Sequence, residues 1–148
     1  MLPPPPTLSG TARRPLQVLL IDDNLADLLL AREAFAALGE QVGLTSYRSG
    51  GAALQALGQA NAALPDVVLL DVNMPGLNGF EVLSTLKSDA RLRPIPVVML
   101  TTSGSREDVR EAYARRANAY LLKSGDFGEF CADIRGFVQF WAGSELPH

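Results

Sequence analysis

The sequence predicts an α/β fold built on one parallel sheet of five strands in the order 2-1-3-4-5. Three observations predict it. Four short apolar runs, Val18–Ile21, Val67–Leu70, Val97–Leu100 and Tyr120–Leu122, show no polar alternation, as expected of strands covered on both faces. Helical patterns fill the gaps between them, so strands and helices alternate along the chain. Each run also stops abruptly on a polar residue, which places those residues together at one edge of a parallel sheet.

The elements follow in order. Residues 1–14, MLPPPPTLSGTARR, read as a flexible leader, because consecutive prolines favour an extended, solvated chain. The first strand, Val18–Ile21, leads to Asn24 and Asp27, a helix cap with an acidic first turn. Leu28, Ala31, Phe35 and Leu38 then share a helix face that Gly39 is expected to end. A patchier run at Val42–Tyr47 suits an edge strand, and an Ala-rich helix is expected over 51–62, ahead of Pro65. Phe80, Leu83 and Leu86 mark a third helix after Gly79. A fourth spans 105–116, opened by Ser105 with Asp108 three residues on. Phe127, Phe130, Ile134, Phe137 and Trp141 give a fifth at helical spacing. Right-handed crossovers and five βα units point to a flavodoxin-like (βα)5 sheet rather than a barrel, which needs eight. One domain is expected over 15–142, followed by a tail at 143–148, with no second apolar core for an output domain.

Bulk properties exclude several function classes. The 148 residues carry a net charge of −3 and only two arginine pairs, Arg13–Arg14 and Arg115–Arg116, which argues against a nucleic-acid surface. No stretch approaches the about 20 apolar residues of a membrane helix, and no secretory signal opens the chain. A single cysteine, Cys131, excludes an internal disulfide framework and fits a reducing cytoplasm.

The strand ends carry the chemistry. The first strand runs into Asp22-Asp23, the third into Asp71, the fourth into Thr101-Thr102 and the fifth into Lys123. Taken singly, each reads as a turn former or a solvated charge. Taken together, they sit on one sheet edge, where the strand order reverses between the first and third strands. Two carboxylates ~4 Å apart repel by about 4 kcal/mol at an effective dielectric near 20, so three of them call for a cation. Oxygen ligands with room for water suit Mg²⁺. A divalent ion beside a carboxylate, with a hydroxyl and an ammonium facing it, suits phosphoryl transfer, in which an Asp can be the nucleophile.

These residues resemble the receiver domains of two-component response regulators. The match covers roughly residues 16–140 and includes Asp22-Asp23, Asp71, Thr101, Lys123 and the segment DVNMPGLNG. The resemblance implies that Asp71 accepts a phosphoryl group from a kinase phosphohistidine. It implies Mg²⁺ held by Asp23, Asp71 and the Asn73 backbone carbonyl, with Asp22 acting through water. Lys123 is expected to pair with a phosphate oxygen. Thr101 and Tyr120 are expected to move as a switch that couples the site to the face of the fourth helix, fifth strand and fifth helix. Asn73 and Ser103 fall where the family tunes phosphate lifetime. The chain departs from the pattern in having Ser124, not proline, after Lys123, and Arg115-Arg116 where a helix-ending glycine is usual.

The last 22 residues hold five of the ten aromatics: Phe127, Phe130, Phe137, Phe140 and Trp141. One helix stripe does not easily hide them all, so a homodimer interface is expected through the face of the fourth helix, fifth strand and fifth helix and the C-terminal tail. A wide core face plus one stray aromatic is the alternative. The tail also resembles the stand-alone receivers that serve phytochrome-type histidine kinases. The resulting expectation is a cytoplasmic, non-enzymatic signalling protein that performs self-catalysed phosphoryl transfer and autodephosphorylation. A phosphorelay intermediate, phosphatase capacity toward the kinase and a pseudo-receiver dimeric scaffold are the alternatives. An Asp-nucleophile phosphatase would use the same carboxylates, but Asn73 stands where the second Asp of its DxD repeat would be.

Overall fold

The computed structural model describes residues 15–72, 74, 76–101, 110, 111, 114, 117, 119–122, 132, 136 and 139. Its elements are β1 (Leu16–Ile21), α1 (Leu25–Ala36), β2 (Val42–Tyr47), α2 (Gly50–Leu57), β3 (Val67–Asp71), α3 (Gly79–Ser88), β4 (Val97–Thr101) and β5 (Ala119–Leu122), with a short 3-10 turn at Gly39–Gln41. The five strands form one sheet in the order β2-β1-β3-β4-β5, and every neighbouring pair is parallel. This is the flavodoxin-like arrangement expected from the sequence, with the patchy β2 at an edge. Of the expected fourth helix, residues 110, 111 and 114 are helical; of the fifth, 132, 136 and 139.

Strand periodicity divides the apolar residues between two faces. Leu19 and Ile21 of β1, Val68 and Leu70 of β3, and Val97 and Met99 of β4 pack with Ala53 and Leu57 of α2 and Val82, Leu83 and Leu86 of α3. Their strand neighbours Val18, Leu20, Val67, Leu69, Val98 and Leu100 pack on Leu28, Ala31, Ala34 and Phe35 of α1. Both faces of the three central strands are therefore covered, which is why their sequences read as unbroken apolar runs.

Helix boundaries differ from the sequence expectation at two places. Helix α1 starts as expected, with the Asn24 side chain accepting from the Asp27 N–H at 3.0 Å. It ends at Ala36, however, before Leu38 and Gly39. The Leu38 N–H turns back to Phe35 O, and Gly39 adopts φ +70°, a left-handed value suited to glycine, to open the 3-10 turn toward β2. Helix α2 covers Gly50–Leu57 rather than 51–62. Ser49 caps its start, and Gly58 ends it by donating to Leu54 O at 2.9 Å. The guanidinium of Arg91, far along the chain, donates to the Leu57 carbonyl and occupies a group that a longer helix would need.

Helix α3 begins at Gly79, as expected, through a reciprocal cap. Glu81 N–H donates to the Asn78 side chain at 3.0 Å, and Asn78 N–H donates to Glu81 Oε1 at 3.1 Å. Near its other end lies a buried cation that the sequence does not reveal. Lys87 donates from Nζ to Ile95 O at 2.9 Å and to Arg93 O at 3.1 Å, tying the helix to the loop that enters β4.

Candidate metal centre

The register of the central strands builds the site. Ile21 of β1 lies opposite Leu70 of β3, so the next residues, Asp22 and Asp71, leave the two strands side by side. Asp71 in turn lies opposite Leu100 of β4, and Thr101 lies opposite Leu122 of β5. The apolar runs thus act as rails that deliver the polar tips to one edge.

Asp22 and Asp71 are buried, at 1% and 4% exposure, while Asp23 is half-buried. One carboxylate oxygen from each of Asp22, Asp23 and Asp71 lies within 4.8 Å of the others. Local hydrogen bonds hold this cluster. Asp22 N–H donates to Tyr47 O at 3.1 Å, which anchors the end of β1 to β2. The Asn24 N–H donates to Asp22 Oδ1 at 2.9 Å, so the turn into α1 orients the carboxylate. Arg48 reaches the Asp23 carbonyl from the loop after β2, at 3.4 Å. Beyond Asp71, Val72 N–H donates to Leu100 O at 3.1 Å and Gly79 N–H donates to Val72 O at 3.0 Å.

At separations of 4.8 Å or less, each pair of ionised carboxylates repels by at least about 3.5 kcal/mol at an effective dielectric near 20. A divalent cation removes that repulsion. An all-oxygen donor set, rigid on two sides and open to water beside Asp23, suits a hard cation of the Mg²⁺ or Mn²⁺ type. The residues present therefore fit a metal centre.

Residues 18–135 match the response regulator receiver domain. The chain belongs to that family. This receiver is 40% identical over 135 residues to the probable methanogenesis regulatory protein FilR2 of Methanothrix harundinacea, covering 89% of this chain and 87% of that one. It is 35% identical to the response regulator Rcp1 of Synechocystis, covering 90% and 94% of the two chains. A solved structure of the Mn²⁺-bound form of Rcp1 matches with a TM-score of 0.82, at 35% identity over 90% of this chain and all of that one. The phosphorylated cyanobacterial phytochrome response regulator RcpA matches with a TM-score of 0.84, at 35% identity over 90% of this receiver and 99% of that chain.

The structure brings together Asp22, Asp23 and Asp71 of the expected site, and sets the backbones of Thr101 and Tyr120 on the adjoining strands β4 and β5. Asn73, Ser103, Lys123, the Lys123–Ser124 peptide and the aromatics Phe127, Phe130, Phe137, Phe140 and Trp141 lie outside the described residues, as do the side chains of Thr101 and Tyr120. Sequence reasoning missed Asn24 as an orienting group for Asp22, and it read Gly79 as a helix start and as part of the loop segment DVNMPGLNG, without its close approach to the Asp71 backbone. The signal for Asn24 was present, since Asp-x-Asn after a strand is a turn in which the Asp side chain accepts from the N–H two residues on. The segment that contains Gly79 was recognisable, but how closely Gly79 approaches the Asp71 peptide was not.

Proposed function

We propose that this receiver takes a phosphoryl group from the phosphohistidine of a sensor histidine kinase onto Asp71, and that it signals by interaction rather than by turnover of a separate substrate. The observation that carries the reading is the cluster of Asp22, Asp23 and Asp71 at adjoining strand tips. A carboxylate oxygen of Asp71 forms the new P–O bond while the P–N bond to the kinase imidazole breaks, its electron pair leaving with the ring nitrogen. Asp23, Asp71, the Asn73 carbonyl and, through water, Asp22 would hold Mg²⁺. Bound there, Mg²⁺ supplies neutralising charge for the incoming phosphoryl oxygens. Lys123 pairs with a phosphate oxygen, and Asn73 and Ser103 set how readily water reaches the product. Thr101 and Tyr120 carry the change to the face of the fourth helix, fifth strand and fifth helix. The backbone beside Asp71 is anchored by hydrogen bonds from Val72 N–H to Leu100 O and from Gly79 N–H to Val72 O, which supports a nucleophile positioned before the donor arrives.

Likeness to RcpA, which is a phytochrome response regulator, supports a phytochrome-type kinase as the donor and a cytoplasmic setting. The higher identity to FilR2, a probable methanogenesis regulatory protein, supports a second reading of the input only, in which the donor is a kinase of another kind. Transfer assays separate the two. A phytochrome-type kinase, autophosphorylated in the presence of Mg²⁺, passes label to the wild type in a light-dependent manner and not to Asp71→Asn. Equal labelling of Asp71→Asn overturns the acceptor assignment. Labelling by acetyl phosphate but not by the phytochrome-type kinase overturns only the choice of donor.

A further inference from the structure

Two helices of this chain begin in the same way but against different surroundings. Gly50 opens α2 behind the cap Ser49, and Gly79 opens α3 behind the cap Asn78. Both glycines are buried. A Cβ on Gly50 would press on the Val82 side chain, with Leu77 O at 3.4 Å. A Cβ on Gly79 would instead overlap the carbonyl oxygen of Asp71 and lie 2.8 Å from Val72 Cα and 3.0 Å from the Asp71 carbonyl carbon. A side-chain methyl such as that of Val82 can rotate or shift, whereas the backbone of a central strand cannot do so without moving the residue it carries.

That backbone is the acceptor's own. The peptide joining Asp71 to Val72 is held from one side by Val72 N–H on Leu100 O of β4. From the other side Gly79 seats directly on it and donates to Val72 O at 3.0 Å. The capping box of Asn78 and Glu81 fixes the turn from which Gly79 makes this contact. We propose that the first turn of α3, Asn78 and Gly79, is a positioning element that sets the Asp71 carboxylate for divalent-cation binding. It touches neither the cation nor the phosphoryl group; it acts through the Asp71 peptide. The inference rests on the metal-binding reading given above.

The test uses Mn²⁺ as the probe, with free Mn²⁺ read by electron paramagnetic resonance at a temperature where thermal melts show each protein folded. Gly79→Ala is compared with Gly50→Ala, and Asn78→Ala with Ser49→Ala. All four lower the melting temperature, so stability does not separate them. Mn²⁺ affinity does. Gly79→Ala weakens binding roughly tenfold to a hundredfold, the range for residues that orient a metal ligand from behind. Asn78→Ala gives a smaller loss, and Gly50→Ala and Ser49→Ala keep wild-type affinity. If Gly79→Ala does not fold, the cap pair decides alone, because cap substitutions are tolerated in most helices. Wild-type affinity in Gly79→Ala or Asn78→Ala, or an equal loss in the α2 variants, overturns the positioning role while leaving the metal centre standing. Absence of Mn²⁺ binding by the wild type overturns both together.

Discussion

Asp23 differs from its two neighbours in exposure, and that difference has measurable consequences. Asp22 and Asp71 are enclosed, whereas Asp23 is half-buried, so its charge is partly screened by water. Replacing Asp23 with Asn removes two of the three carboxylate repulsions. In chelator, Asp23→Asn is expected to be more stable than the wild type by about 1 kcal/mol, below the ~3.5 kcal/mol per pair at an effective dielectric near 20, because Asp23 is partly solvated. With saturating Mg²⁺ the order reverses, because the wild type gains binding energy, about 2.7 kcal/mol at a hundredfold excess over Kd, that the variant has largely lost. Urea melts in chelator and in Mg²⁺ read both signs, and a variant that loses stability in both conditions contradicts the cluster as described. Other residues act through geometry alone. Asn24 holds Asp22 through a backbone N–H, so its side chain is dispensable for that contact and matters only as the cap of α1.

Among the elements, α3 and its two ends connect the site to the rest of the fold. Its start is seated on the acceptor strand, and its last turn carries Lys87, buried at 6% exposure and donating to Arg93 O and Ile95 O. Lys87→Met keeps the apolar stem but withdraws those hydrogen bonds from buried carbonyls. The expected cost is about 1.5–3 kcal/mol in urea unfolding, the range for hydrogen bonds to a charged donor. Phosphoryl labelling of the folded variant is expected to persist, since the contacts lie at the β4 entrance and not at the strand tips. A cost below about 0.5 kcal/mol, the lower end for an ordinary hydrogen bond, would show the bonds to be solvent-exchangeable. Strand positions were legible in the sequence because strands covered on both faces have nowhere to place polar residues. Gln17, near the start of β1, is exposed, as is Thr45 in the edge strand β2. The end of α1 was legible to within a turn, since Gly39, expected to stop the helix, does adopt the left-handed conformation, although the last helical residue is Ala36. The end of α2 was less legible, because it involves Arg91 arriving from beyond α3. Lys87 had no local signature at all, since a lysine after Leu86 reads as a solvated helix end until the loop carbonyls are placed over it.

At the scale of the whole molecule, topology alone explains why distant residues make one site. The order β2-β1-β3-β4-β5 puts the strand carrying Asp22 next to the strand carrying Asp71, although 49 positions separate them in sequence. The reversal of strand order between β1 and β3 opens the crevice where such folds place their ligands. This much of the site followed from sequence, because the residue after each apolar run is readable once the order is known. The contacts that hold the acceptor peptide in place did not, because they depend on how closely α3 approaches β3. Among the described residues no helix is long and apolar enough to cross a membrane. The homodimer expected from the C-terminal aromatics belongs to this scale too. A charge at Trp141, as in Trp141→Glu, is expected to shift sedimentation toward monomer, and an unchanged profile would assign the aromatic cluster to the core. Covalent chemistry at one carboxylate remains the claim on which the rest depends. Treating the protein with a phosphoryl donor and Mg²⁺, then reducing with borohydride, converts an aspartyl phosphate to homoserine. Peptide mass spectrometry is predicted to find homoserine at position 71, and reduction at any other aspartate, or at none, would contradict the account.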